Sequence, residues 1–410
     1  MSLKRVVVTG VGAMSPLGHG ASELMAGLLQ DRSGISRVEE LRKVQGLRSL
    51  VAGLVPPVDP KLIDRKFRRS MSPMSIYATL ASHEALAQAG VPEETISGGR
   101  LGLCIGSTIG SPFTYEEFFS DYLKDFSLER IKSTMFFKIM SHSCASNVAQ
   151  ALGVKGRIMA PAAACATGVQ TVGLGFEAIA LGKQDMMLCG GADELHPLTV
   201  ATFDIISAAS FRYNDQPAST PRPFDKDRDG TVCSEGCGIL LLESLDSALA
   251  RGARILGEIV GFATTSDPTN ISNPDPAAIA ACMRTALEDA GLRPEQVDYI
   301  NAHATATELG DIAESVAIHD LFGPRVPVSS LKGFLGHALA ASGAIELIAT
   351  LGMLERNLLL PTRNLETVDP RCAPVNFLRE RTEVAADVAV KNNFALGGVN
   401  ASLIVRRFHD

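Results

Sequence analysis

The chain has 410 residues, 46% of them hydrophobic and 20% charged, so it can bury a large core and is not a disordered polymer. Its formal net charge of −7 is opposite in sign to that of a general nucleic-acid binder, although a local basic patch for one acidic partner remains open. No apolar run reaches the roughly 20 residues needed to cross a bilayer, and the opening Met-Ser-Leu-Lys-Arg leads straight into a strand, so a cytoplasmic protein without membrane contact is expected. Residues 5–10 are a β-branched run closed by glycine, and 21–29 read as a helix. Residues 72–89 carry helical apolar spacing up to a Gly90 cap, and 101–105 form a buried strand. Residues 111–140, richer in Phe and charge, predict helical excursions from the sheet. A small-residue helix is expected over 164–181, a strand over 185–188, a polar surface loop over 214–230 and a strand over 239–242. The theme then repeats. Strands are expected at 253–264, 297–301 and 326–329, helices at 276–290 and 338–355, and closing strands at 388–394 and 401–405. Strands alternating with helices twice over predict an α/β fold in two similar halves, residues 1–250 and 251–410.

The eight cysteines include no C-x-x-C pair, and a chain of this size needs no disulfide staples, so most are expected to be small buried hydrophobes. Cys233 and Cys237 lack a matching Cys/His pair, and no metal is expected there. Gly10-Val-Gly12 after the first strand invites a dinucleotide reading, but position 15 is Ser where a third glycine belongs and Pro16 follows. No cofactor is expected.

Three segments carry chemistry. In Pro161-Ala-Ala-Ala-Cys-Ala-Thr-Gly168, Cys165 stands at a helix start among small residues; the helix dipole there favours a thiolate, and backbone N–H groups can approach a carbonyl. In Asn301-Ala-His-Ala-Thr-Ala-Thr307, His303 follows a strand, with Thr305 and Thr307 at alternate positions able to face one cleft. In Ser329-Ser-Leu-Lys-Gly-Phe-Leu-Gly-His337, Lys332 and His337 flank a glycine-rich turn leading into a helix that contains Glu346. Singly, each reads as readily as structural: a buried Cys, a hydrogen-bonded His, a solvated Lys. Together, one thiol and two imidazoles fit thioester chemistry, in which Cys165 carries an acyl chain and two N–H donors stabilise an enolate formed by decarboxylation.

These segments, with the opening RVVVTGVGAMSPLG, the loop RPFDKDRDGTVCSEG and the closing NNFALGGVNASL, resemble the motifs of the β-ketoacyl-acyl-carrier-protein synthases. The resemblance is to the elongating type II enzymes of the thiolase superfamily and spans essentially the whole chain. It implies a five-layer α-β-α-β-α sandwich of two duplicated βαβαβαββ halves, with the nucleophile in the first and both histidines in the second. It also implies a homodimer and an acyl-carrier-protein partner. Residue by residue it implies Cys165 as nucleophile, His303 and His337 in decarboxylation, Lys332 and Glu346 in their electrostatic support, and Thr305 and Thr307 on the pantetheine arm. The amides of Cys165 and Leu396 would form the oxyanion hole. Ile109 and, across a dimer, Phe137 would line the acyl pocket. Arg65, Lys66, Arg68 and Arg69, otherwise a solvated charged turn, would dock the acidic carrier. One departure stands out. The family pattern Gly-Phe-Gly-Gly is Ala395-Leu-Gly-Gly398 here, which replaces a gating ring with Leu396 and removes the backbone freedom of a glycine at 395. The resemblance leaves two other readings: a thiolase, disfavoured because Cys372 has no glycine-rich His-bearing context, and a silent chain-length factor, disfavoured because Cys165, His303 and His337 are all present. A specialised ketosynthase paired with a chain-length-factor homologue, making polyene or polyketide chains, is the alternative for function.

Overall fold

The computed structural model describes residues 3–409. The opening strand runs Val6–Ser15, well past the glycine expected to close it. Gly10 and Gly12 do not cradle a phosphate. They lie against the helix Pro73–Ala89 so closely that an added Cβ would stand 2.1 and 1.9 Å from the carbonyl oxygens of Ala85 and Ala81. These glycines exist for helix-on-sheet contact.

One sheet orders the strands Ile158–Met159, Leu101–Gly106, Met186–Asp193, Gly236–Ser244 and Val6–Ser15, the first three mutually parallel and the rest antiparallel. The second orders Pro327–Ser329, Tyr299–Asn301, Val388–Ala395, Val399–Arg406 and Gly257–Ser266 with the same pattern of directions, and Asn376–Phe377 extends its far edge. The two sheets are continuous through the pairing of Val6–Val8 with 257–259, so that together they make one 12-stranded sheet. Helices Thr167–Ala180 and Ser342–Arg356 pack between them; Pro73–Ala89 and Ser143–Leu152 cover one outer face, Pro276–Asp289 and Glu308–Phe322 the other. The result is the five-layer thiolase-like sandwich of two like-wound halves that the resemblance implies.

The central helix Ser342–Arg356 is apolar around most of its girth because it touches protein on every side. At its start it meets Thr167–Ala180 backbone to backbone. A Cβ on Gly168 would lie 2.7 Å from the Ala340 oxygen and 2.8 Å from the Ala344 nitrogen. That approach brings the two glycine-alanine segments of the sequence side by side.

Several expectations change in detail. Residues 164–181 and 338–355 are each a short 3-10 turn followed by an α-helix, not one helix. The strand expected to end at Leu188 continues through Cys-Gly-Gly to Asp193. The loop 214–230 is irregular but not superficial: Arg222, Phe224, Asp225 and Arg228 are buried. Its charges mislead because they pair internally, Arg228 with Asp369 at 2.6 Å and Arg222 with Asp225 at 3.2 Å. The excursion at 111–140 contains the helices Pro112–Tyr122 and Ser133–Ile139 and exposes Phe113, Phe119, Phe126 and Phe136. Among the described residues no helix is long and apolar enough to cross a membrane.

Candidate active site

Cys165 sits in the 3-10 turn Ala164–Ala166 just ahead of the helix Thr167–Ala180. Ala164 holds a left-handed φ of 46°, a conformation costly for a residue with a Cβ and one that turns the next side chain inward. Thr167 braces the turn: its hydroxyl donates to the Ala164 carbonyl and accepts from the Ala163 amide, both at 2.8 Å. His337 follows the short helix Lys332–Leu335 and Gly336, whose φ is 69°. His303 follows the strand Tyr299–Asn301, and its amide and that of Ala304 donate to Glu314 at 2.9 and 2.7 Å. Three segments far apart in sequence thus converge. His337 Nε2 lies 2.9 Å from Cys165 Sγ, the sulfur and one nitrogen of each ring fall within 4.8 Å of one another, and the rings meet edge-on with centroids 5.2 Å apart.

The electrostatics of the nucleophile differ from the sequence expectation. Burial pushes the Cys165 thiol up to about 12, and the nearby Lys332 ammonium only partly opposes this. Desolvation exceeds any pull of the helix start, so the resting state is the thiol. The backbone N–H groups of Cys165 and Leu396 nevertheless both reach toward the sulfur. Burial and Lys332 bring His337 down to about 3, and the same causes with His337 itself hold His303 well below the usual imidazole range. Both rings are neutral at physiological pH.

Asn393 assigns the tautomer of His303. Its amide nitrogen donates to the Cys165 carbonyl at 2.8 Å, which fixes the amide orientation, and lies 3.2 Å from His303 Nδ1. Nδ1 therefore accepts, and the neutral ring carries its proton on Nε2. Behind the histidines, Lys332 Nζ and Lys391 Nζ each lie 2.6 Å from one oxygen of Glu346, and all three side chains are buried. Burial raises the Glu346 carboxyl, but the two ammonium groups outweigh it and hold it down at about 2.

A cavity of about 470 Å³ opens onto Cys165, His303 and His337 and is also lined by Thr305, Thr307 and Leu396. The two threonine hydroxyls are 3.1 Å apart, on a turn in which Ala306 has φ of 66° and donates its amide to Asp311. Leu396 stands 44% exposed at the tip of the hairpin between Val388–Ala395 and Val399–Arg406. Ala395 lies within its strand, and the left-handed angles fall at Gly397 and Gly398 (95° and 76°), so the alanine costs no needed freedom. Ile109 and Phe137 are exposed and do not line the cavity. Arg65, Lys66, Arg68 and Arg69 lie on or beside a one-turn helix capped by Asp64, and none pairs with a carboxylate among the described residues.

Sequence reasoning missed Lys391, Asn393 and Glu314. The signal was there: Lys-Asn-Asn in the middle of a strand otherwise apolar enough for the core is a run of polar groups that must find partners inside. The cysteine and two histidines are close enough to hold a soft cation. Two converging amides and two neighbouring ammonium groups give the site the opposite character, suited to developing negative charge.

Comparison with known proteins agrees with this geometry. The family "Beta-ketoacyl synthase, N-terminal domain" matches residues 3–248, and "Beta-ketoacyl synthase, C-terminal domain" matches 256–366. The 3-oxoacyl-[acyl-carrier-protein] synthase 1 of Escherichia coli K12 is 38% identical over all of both chains. A crystal structure of a beta-ketoacyl synthase from Burkholderia phymatum superposes with a TM-score of 0.96 at 44% identity, covering 99% of this chain and 100% of that one. The ishigamide ketosynthase/chain length factor superposes at 0.92 with 32% identity, covering 99% and 100%. With matches to both domain families across most of its length, this chain belongs to the beta-ketoacyl synthases.

Proposed function

We propose that the protein is a 3-oxoacyl-acyl-carrier-protein synthase that condenses a Cys165-bound acyl chain with a malonyl thioester. The observation that carries the reading is the convergence of one thiol and two neutral imidazoles on a single cavity. In loading, Cys165 Sγ attacks the acyl thioester carbonyl, the C–S bond to the carrier breaks, and the thiol proton leaves with the displaced carrier thiol, so that His337 keeps its own proton on Nε2. The amides of Cys165 and Leu396 receive the oxyanion. A malonyl thioester then enters past Thr305 and Thr307, which bind its pantetheine arm. Its C–C bond to the carboxylate breaks, CO2 departs, and the electron pair becomes an enolate whose oxygen accepts N–H bonds from His303 Nε2 and His337 Nε2. The enolate carbon attacks the acyl-Cys165 carbonyl, the C–S bond breaks, and the released thiolate takes up a proton. Lys332 and Glu346 support the field around the histidines.

The chain works as two halves, 1–250 carrying the nucleophile and 251–410 both histidines. It acts in the cytoplasm as a homodimer, in which Ile109 and the partner copy's position 137 close the acyl pocket. Arg65, Lys66, Arg68 and Arg69, without an ion pair among the described residues, receive the acidic carrier. Reversing charge at Arg68 and Arg69 is expected to raise KM for the carrier while sparing reaction with a small thioester mimic; equal losses on both would remove the docking role.

The reading is tested by following CO2 release and 3-oxoacyl product from acyl- and malonyl-carrier. Wild type should give both, and Cys165→Ala no product. His303→Ala should load but not condense. Product formation by Cys165→Ala would overturn it.

A second reading has specific support: Leu396 stands where the family pattern has an aromatic gate, and the chain superposes closely on the ishigamide ketosynthase/chain length factor. In that reading the protein is the ketosynthase subunit of a specialised polyene or polyketide system. Equal kcat/KM for saturated and unsaturated primers would remove it.

A further inference from the structure

Among the described residues, Lys391 is the one buried ammonium that the reaction outlined above does not use. It lies mid-strand, registered in parallel with Asn301 on one side and antiparallel with Leu403 on the other, and has no solvent exposure. Its Nζ donates to Glu346 Oε2 at 2.6 Å and to the Asn392 carbonyl at 2.7 Å. Glu346 Oε1 is taken by Lys332 at 2.6 Å and the Ser342 hydroxyl at 2.9 Å. Each lysine therefore occupies its own oxygen, and Lys391 leaves Glu346 one way to present Oε1 to Lys332.

The same strand positions the reacting groups. Asn392 reaches Glu314, which holds the His303 and Ala304 amides, and Asn393 bonds the Cys165 carbonyl and His303 Nδ1. Two ammonium groups face Glu346, with the Glu314 carboxyl also within their reach, and the positive charge of both lysines is felt at both imidazoles. Burying an unneeded charge is costly, and a neutral side chain would satisfy the strand equally well. The charge has a use.

We propose that Lys391 is a positioning residue for condensation: its ammonium locks Glu346 and maintains positive potential behind His303 and His337, so that both rings meet the forming enolate as aligned donors. The inference rests on the condensing reaction proposed above. It predicts a split between half-reactions, because loading forms no enolate.

Lys391→Met removes the charge at similar volume, and Lys391→Arg keeps it. Loading of Cys165, read by mass spectrometry, and malonyl decarboxylation, read as CO2 release, are compared in each. Lys391→Met is expected to slow decarboxylation by about 100-fold and loading by less than about threefold, the scale of losing one preorganised electrostatic contact. Lys391→Arg should recover much of the decarboxylation. Should Lys391→Met fail to fold, the wild-type pH profile serves. Burial and Lys332 bring Lys391 down to about 8, against the opposing pull of Glu346 and Glu314. Decarboxylation should therefore fall above about pH 8 while loading does not. Equal effects on both half-reactions, or a decarboxylation rate flat to pH 10, overturn the proposal. Failure of wild type to load any acyl group on Cys165 would instead overturn the condensing reaction itself.

Discussion

Asn393 shows how a single amide can set chemistry it does not perform. By donating to the Cys165 carbonyl and His303 Nδ1 it fixes a ring tautomer and the distance between nucleophile and donor together. Asn393→Ala is expected to leave Cys165 able to load but to lower condensation by about 10–100-fold, the usual cost of removing a group that orients a ligating or catalytic His; steady-state kinetics on acyl- and malonyl-carrier check this, and an unchanged kcat would contradict it. At this scale the sequence was informative about Cys165, His303 and His337 because each stands among small residues at a turn or strand end, where a functional side chain stands out. Asn393 and Lys391 it marked only as polar groups in an apolar strand that must find partners inside, without saying which. They stand in a strand, and strand periodicity reports which residues share a face, not what that face meets across the core. The protonation state of Cys165 was misread for a related reason: a helix start is visible in sequence, whereas the desolvation that exceeds it depends on the surrounding layers.

Among the elements, the crossing of Thr167–Ala180 and Ser342–Arg356 decides whether a site exists. Gly168 and Gly343 let these helix starts touch, placing Cys165 beside His337, which precedes the helix that carries Glu346. Gly168→Ala would push a methyl group against the backbone at Ala340 and Ala344. A loss of about 1–3 kcal/mol of stability is expected from such overpacking, read from the denaturation midpoint, together with slower loading. A variant as stable as wild type would show that the crossing has slack. Elements themselves were largely legible: helices Ala21–Leu29 and Pro276–Asp289 fall where apolar spacing and a closing glycine or polar break put them. The loop 214–230 was not, because its charges pair inside the protein, Arg228 with the distant Asp369 and Arg222 with Asp225, and composition alone reads charge as surface.

For the molecule as a whole, the duplicated α/β architecture followed from two rounds of alternating strands and helices, while the close approach of the two halves around the central helices is a tertiary fact. That burial has a consequence for acid stability. Unfolded imidazole titrates near 6.5 and folded His337 only at about 3, so between these values the unfolded chain binds the extra proton. Stability should therefore fall as pH drops through that window, and less so in His337→Asn; denaturant midpoints at pH 7.5 and 5 test this, and identical pH dependence would contradict it. The central claim is that one thiol in this fold carries the acyl chain to be extended. Intact-protein mass spectrometry after mixing with a panel of acyl-carrier thioesters reads it directly. A single acyl increment is expected, mapped by digestion to Cys165, absent in Cys165→Ala and discharged on adding malonyl-carrier. An increment on another residue, or one that malonyl-carrier does not discharge, would contradict it.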